Sequence, residues 1–150
     1  MRAAVLLVAA VLAACGRAPA PVTEKPSDPA TERWYVEGVA QLSEIDRKAE
    51  DLFKRGKQDQ AAALIESGEK LSSRLLAVRQ PTLEAMEAAS DLDQLYGEML
   101  LFNRNYGWAR MMFQKNTARW RYWRPQNEET AKRLKKAEAA IAECDRRMSQ

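Results

Sequence analysis

Phe102-Asn103-Arg104-Asn105-Tyr106-Gly107-Trp108 decides the architecture of this chain. Asn103, Asn105 and Gly107 are turn-forming residues set inside a long helical pattern, and their clustering predicts a turn or a kink. With a turn here, Ala85, Ala88, Leu92, Leu95, Met99 and Phe102 line one helix, while Ala109, Met112, Phe113, Trp120 and Trp123 line the next. Without it, residues 82–124 form one long helix and the fold is a four-helix bundle.

On either side of this stretch the pattern is equally helical. Tyr35, Val39, Leu42, Ile45, Ala49, Leu52 and Phe53 fall on one face of a helix that opens at Thr31-Glu32 and ends at Gly56. A second helix starts near Asp59, with Ala61, Leu64, Ile65, Gly68, Leu71, Leu75 and Val78 on its stripe. Pro81 closes it, and Thr82 suits the N-cap of the third. Pro125 stops the segment after Asn105. Asn127 caps a last helix carrying Leu134, Ala137, Ile141, Cys144 and Met148. No segment alternates with period two, so the expectation is an all-α domain over residues 32–150: two antiparallel hairpins and a final helix, a four- or five-helix bundle.

The N-terminus has a different composition. Met1-Arg2 is positive, Ala3 to Val11 is uncharged and mostly aliphatic, and Ala13 and Ala14 are small. These are the three parts of a secretory signal, and the run is too short for a bilayer, which takes about 20 apolar residues. Leu12-Ala13-Ala14-Cys15, followed by Gly16, resembles the lipobox of bacterial lipoproteins. The resemblance implies a signal peptide over residues 1–14 and a diacylglyceryl group on the sulfur of Cys15, with cleavage exposing its amine to further acylation. Two or more chains give stable anchoring. Gly16 is not the Asp that in this family often favours the inner membrane, which implies the periplasmic side of the outer membrane. The alternative is an ordinary signal peptide cut elsewhere. Residues 15–31 hold Pro19, Pro21, Pro26 and Pro29 and read as an extended tether, able to hold the domain some 40–50 Å from the membrane at about 3.1 Å per residue.

Composition excludes much chemistry. The 150 residues contain no histidine and two cysteines. The commonest general base and metal ligand are therefore missing, and if Cys15 carries lipid, Cys144 has no disulfide partner. No cofactor and no metal site are expected. Cys144, on the stripe with Ile141 and Met148, reads as a small buried hydrophobe.

Two weaker resemblances stand beside the first. Ala109 and Phe113 resemble the inner part of a tetratricopeptide repeat. Ala49, Leu52, Gly56, Ala61 and Ile65 of the first hairpin follow the same pattern as Gly97, Leu100, Tyr106, Ala109 and Phe113 of the second. Ala61 and Ala109 lie 48 residues apart, however, against 34 in that family. Ile65-Glu66-Ser67-Gly68 is similar to the Glu-Ser step around the catalytic acid of lytic transglycosylases, but the segments that accompany it there do not follow.

Charge is uneven. Residues 24–98 carry sixteen acids and ten bases, whereas residues 104–136 carry ten bases and two acids. Seven of the eleven aromatics lie between Phe102 and Trp123, most densely in Arg119-Trp120-Arg121-Tyr122-Trp123-Arg124. This stretch is the candidate contact surface, since Trp and Arg dominate binding hot spots. The alternative is that Trp120 and Trp123 are core residues, with the arginines solvated or docked on the acidic first hairpin. The expectation is a lipid-anchored, non-enzymatic adaptor or assembly factor that binds another envelope protein. The second reading is an anionic glycan or lipid head group bound through Arg119–Arg124, and the third a peptidoglycan-active enzyme. Nucleic acid is not an expected partner of an exported protein.

Overall fold

The computed structural model describes residues 28–150; the expected signal peptide, Cys15 and the expected tether up to residue 27 lie outside the described residues. Five helices follow one another: α1 (Arg33–Lys54), α2 (Gln58–Leu76), α3 (Leu83–Phe102), α4 (Tyr106–Tyr122) and α5 (Glu128–Met148), with no strand among the described residues. Thr82 caps α3, its Oγ1 accepting from the Ala85 N–H at 3.3 Å, and Asn127 caps α5 through a reciprocal pair with Thr130. The end of the tether departs from the extended reading. Pro29–Thr31 forms one 3-10 turn, because the Asp28 carboxylate accepts from the Ala30 N–H at 3.1 Å and proline tolerates the first position of a helix.

The turn at Asn105 is present, and it repeats the turn after α1. In both, a Schellman motif closes the helix: Lys57 N–H donates to the Leu52 carbonyl and Gly56 N–H to Phe53, as Asn105 N–H does to Leu100 and Arg104 N–H to Leu101. Gly56 and Arg104 therefore occupy the same left-handed position, at φ 75° and 62°. The residue pattern sets Gly56 against Tyr106; the geometry sets it against Arg104, two residues earlier. A side chain at this position crowds the following carbonyl at about 1–2 kcal/mol. Arg104→Gly is therefore expected to stabilise the domain by about 0.5–1 kcal/mol after glycine's extra unfolded-state entropy is subtracted. Thermal melts should show a midpoint a few degrees higher; a lower midpoint would mean that Arg104 holds the turn through its side chain.

The same 48-residue step relates both hairpins. Leu42 and Ser90, Ala49 and Gly97, Ala61 and Ala109, Ile65 and Phe113, Gly68 and Asn116, and Ser72 and Trp120 are all buried pairs of equivalent positions. Volumes are exchanged between partners. Where the first hairpin has Leu42 and Ser72, the second has Ser90 and Trp120, and the Trp120 Nε1–H donates to Ser90 Oγ at 2.8 Å. Gly97 stands opposite Phe113 because a Cβ there would lie 2.5 Å from the ring.

Packing follows chain order. Helix α1 lies on α2 and α3, α3 on α2 and α4, and α4 on α5. Helices α1 and α3 run parallel: the Thr82 N–H donates to Tyr35 Oη at one end, and Phe53 and Phe102 meet edge to face, 5.6 Å apart, at the other. Helix α5 continues the row, with Arg133 on Asp91 and Lys136 on Glu98. Helices α2 and α4 run antiparallel to this row, as Gly68 against Ile45 and Leu92, and Trp120 against Ser90, require. The core runs through α1–α3, and a second cluster joins Ala109, Phe113 and Cys144. Cys144 is free and buried, and burial raises its thiol pKa.

Candidate interaction surface

The basic-aromatic stretch divides between the interior and the surface. One helical turn cannot present six consecutive residues to one side, and α4 faces both α3 and α5. Arg119 and Trp120 point inward. Trp120 is fully buried. Arg119 Nη2 meets Asp93 Oδ2 at 2.8 Å, the two side chains 5% and 3% exposed, and Arg119 also donates to Asn116 Oδ1. Lys115 Nζ reaches the other Asp93 oxygen at 2.7 Å, and Asn116 Nδ2–H donates to the Ser90 carbonyl. The Arg133 guanidinium of α5 lies 5.5 Å from the centre of the Trp120 ring. Trp123 is half-buried, Arg121 pairs with Glu138 at 3.0 Å, and Arg124 donates to the carbonyls of Arg121 and Trp123, closing the end of α4. Tyr122 is exposed. Arg119 to Arg124 is thus not one contact surface. The basic residues of α4 and α5 also find their acids on α3 and α5 themselves, not on the first hairpin.

The outer face of α4 is the part that no helix covers. Trp108 is 63% exposed, Met111 43% and Tyr122 77%, and Lys115 and Ala118 complete the row between them. Equivalent positions on α2, 48 residues earlier, are Gln60, Ala63, Ser67, Lys70 and Arg74, all exposed. The fold therefore places no demand for large apolar side chains on this face, since the equivalent positions in the sister hairpin are polar or small. Next to it, Arg110, Gln114, Ala118, Arg121, Glu138 and Ile141 line a cleft of about 480 Å³ between α4 and α5. Trp108 and Met111 fall outside the stretch singled out from sequence; setting the hairpins against each other at 48 residues would have found them.

A second cleft, of about 400 Å³, opens at the far end of the row, where Phe53, Leu101, Phe102 and Tyr106 meet Arg104 and Arg147. Phe102 is exposed there, and Trp108 lies in the first turn of α4. Residue 28, by contrast, lies beside the start of α1, at the end of the molecule that holds Tyr122.

Between α1, α3 and α5 sits a small acidic groove lined by Asp46, Glu50, Asp91, Gln94, Glu98 and Lys136. Asp46 Oδ1 is buried and has no hydrogen-bond partner. Burial first, then the charges of Asp91, Glu50 and Glu98, push the Asp46 pKa up to about 6, with Lys136 opposing. The folded state therefore holds a proton that the unfolded chain releases near pH 3.8. This contribution to stability is complete below that pH and is lost as pH rises through 6. Asp46→Asn should accordingly match the wild type near pH 3.5 and exceed it at pH 8 by about 1–2 kcal/mol, after discounting for solvent screening. Urea titrations at the two pH values read this directly, and an equal difference at both would exclude ionisation as the cause.

Glu66 lies on the exposed side of α2 and pairs with Lys70 at 2.7 Å. That pairing lowers its pKa, the reverse of what a proton-donating glycosidase acid needs. Among the described residues no cluster of His, Cys, Asp or Glu could hold a metal ion, and no helix is long and apolar enough to cross a membrane. No protein-family model, curated protein or solved structure matches the chain.

Proposed function

We propose that this protein is a lipid-anchored, non-enzymatic adaptor of the bacterial envelope. Cys15 holds it at the periplasmic side of the outer membrane, and the outer face of α4 docks another envelope protein. One observation carries the docking half: Trp108, Met111 and Tyr122 stand in water where the equivalent helix of the same fold has Gln60, Ala63 and Arg74. Unpartnered aromatic and Met side chains in one row are typical of interface cores. The anchor rests on the lipobox. Lipid on Cys15 confines the domain to a surface, and the residues up to Asp28, at about 3.1 Å each when extended, give it a reach of about 40 Å. Within that shell the effective concentration for a membrane-bound partner rises steeply.

Photo-cross-linking amino acids placed at 108 and 111, with 60 and 63 as matched controls, test this in cells. The expected result is a discrete protein adduct from the α4 positions only, lost when Cys15→Ser releases the protein from the membrane fraction. Equal labelling from both helices, or none from α4, would overturn the docking surface. The absence of any acidic residue from α4 also favours the anionic-component reading. That reading predicts lipid or glycan adducts at the same positions.

A further inference from the structure

The cleft at the far end of the row, where α1 and α3 finish and α4 begins, joins three features that the fold does not require. The first is Arg104. It holds a left-handed backbone at φ 62° where the sister turn has glycine, and its side chain lines the cleft. Strain of this kind collects at functional sites. The guanidinium has no hydrogen-bond or ion-pair partner among the described residues. The second is Phe102, 67% exposed, where α1 has Lys54 at the equivalent position. Phe102 meets Phe53 edge to face, and Leu101 and Tyr106 complete the apolar wall. The third is unbalanced charge. Arg147 donates its Nε–H to Glu143, which also pairs with Arg146, while Lys136 pairs with Glu98. Arg104, Arg146, Arg147 and Lys136 are thus set against only two acids, Glu98 and Glu143.

We infer that this cleft binds a sugar that carries a carboxylate. Arg104 and Arg147 hold the carboxylate, Phe102 and Tyr106 take the C–H face of the ring, and Glu98 accepts from a hydroxyl. Guanidinium groups form short charge-assisted hydrogen bonds to carboxylates. An aromatic face is negative and attracts the polarised C–H bonds of a pyranose. Gln94 and Lys136 both reach Glu98 through Oε1, which leaves Oε2 to accept from the ligand. The volume of about 400 Å³ lies at the small end of ligand sites. Other anions fit less well. A fatty acyl chain needs an apolar channel, and three of the seven lining residues are charged. A phosphate monoester brings more negative charge against Glu98 than a carboxylate does. The cleft lies opposite the end where residue 28 emerges, so a tethered domain presents it away from its anchor. The inference is separate from the outer face of α4 and does not rest on the docking reading.

Calorimetric titration of the full-length protein in polyoxyethylene detergent micelles, which present no sugar, tests this. The probes are digalacturonate, its neutral dimethyl ester and N-acetylphenylalanine. Digalacturonate is expected to bind about tenfold more tightly than the ester, the effect of charge-assisted hydrogen bonds. Arg104→Asn removes the charge at a residue that tolerates the left-handed backbone, and should weaken binding about fivefold. Arg104→Gly should weaken it equally while raising the melting midpoint, so that affinity and stability move in opposite directions. Phe102→Ala should weaken it by a similar factor, through loss of the ring face. Arg55→Gln, at the end of α1 but outside the cleft, should leave it unchanged. Equal affinity for the acid and its ester, full affinity in Arg104→Asn, or no binding of digalacturonate at millimolar concentration overturns the inference. N-acetylphenylalanine binding as tightly as digalacturonate also overturns it, in favour of a peptide chain end.

Discussion

Trp120→Ala should lower the stability of the domain by about 3–5 kcal/mol, the range for truncating a buried tryptophan. The indole is fully buried, its N–H satisfies Ser90 Oγ, and Arg133 lies against its face. Truncation removes the largest side chain between α3 and α4, strands the hydroxyl and leaves the guanidinium without its ring. Small domains have about 5–15 kcal/mol in all, so the variant should melt more than 10 °C below the wild type or fail to fold at growth temperature. Tyr122→Ala, two residues on but exposed, should stay within about 0.5 kcal/mol. Circular dichroism melts of the two proteins separate structure from contact. A Trp120→Ala protein as stable as the wild type but deficient in partner binding would return the indole to the contact surface.

Arg119→Leu should cost about 3 kcal/mol, the low end for breaking a buried ion pair, because Lys115 still reaches the orphaned Asp93. Adding Asp93→Ile should restore most of that loss. The pair then becomes Ile and Leu, the residues at the equivalent positions Ile45 and Leu71 of the first hairpin. A buried pair exchanged as a unit for apolar residues is commonly neutral, whereas removing one member is not. About 1 kcal/mol should remain lost, because Asn116 Oδ1 no longer accepts from Arg119. Denaturant titrations of the wild type, both single variants and the double variant measure the coupling directly. Coupling below about 0.5 kcal/mol would mean that the two side chains act independently.

Helix boundaries were legible because their signals are local. Gly56, Thr82, Pro125 and Asn127 act on the backbone within a few residues of themselves, and each stops or caps a helix where expected, whereas α2 ends at Leu76, before Val78 and well short of Pro81. The 48-residue spacing was also visible from Ala61 and Ala109. Its register through the turn was not, because Arg104 stands where glycine is the expected residue and gives no sign of a left-handed backbone. The basic-aromatic stretch stayed open between core and contact surface for a related reason. Composition counts Arg119, Trp120 and Tyr122 alike, while helical geometry turns each residue about 100° from the last.

The sequence by itself determined the all-α class, a bundle of four or five helices, the isolation of Cys144 from any disulfide if Cys15 is lipidated, and the expectation of a tethered lipoprotein; the break between α3 and α4 came from the structure. Those conclusions rest on periodicity, capping and composition, which are written along the chain. Only the tertiary structure decided that Trp120 and Arg119 belong to the interior and that Trp108, Met111 and Tyr122 do not. Which side of α4 is covered depends on where α3 and α5 lie, and that is settled by contacts such as Ser90 with Trp120 and Arg110 with Asp145, far apart along the chain.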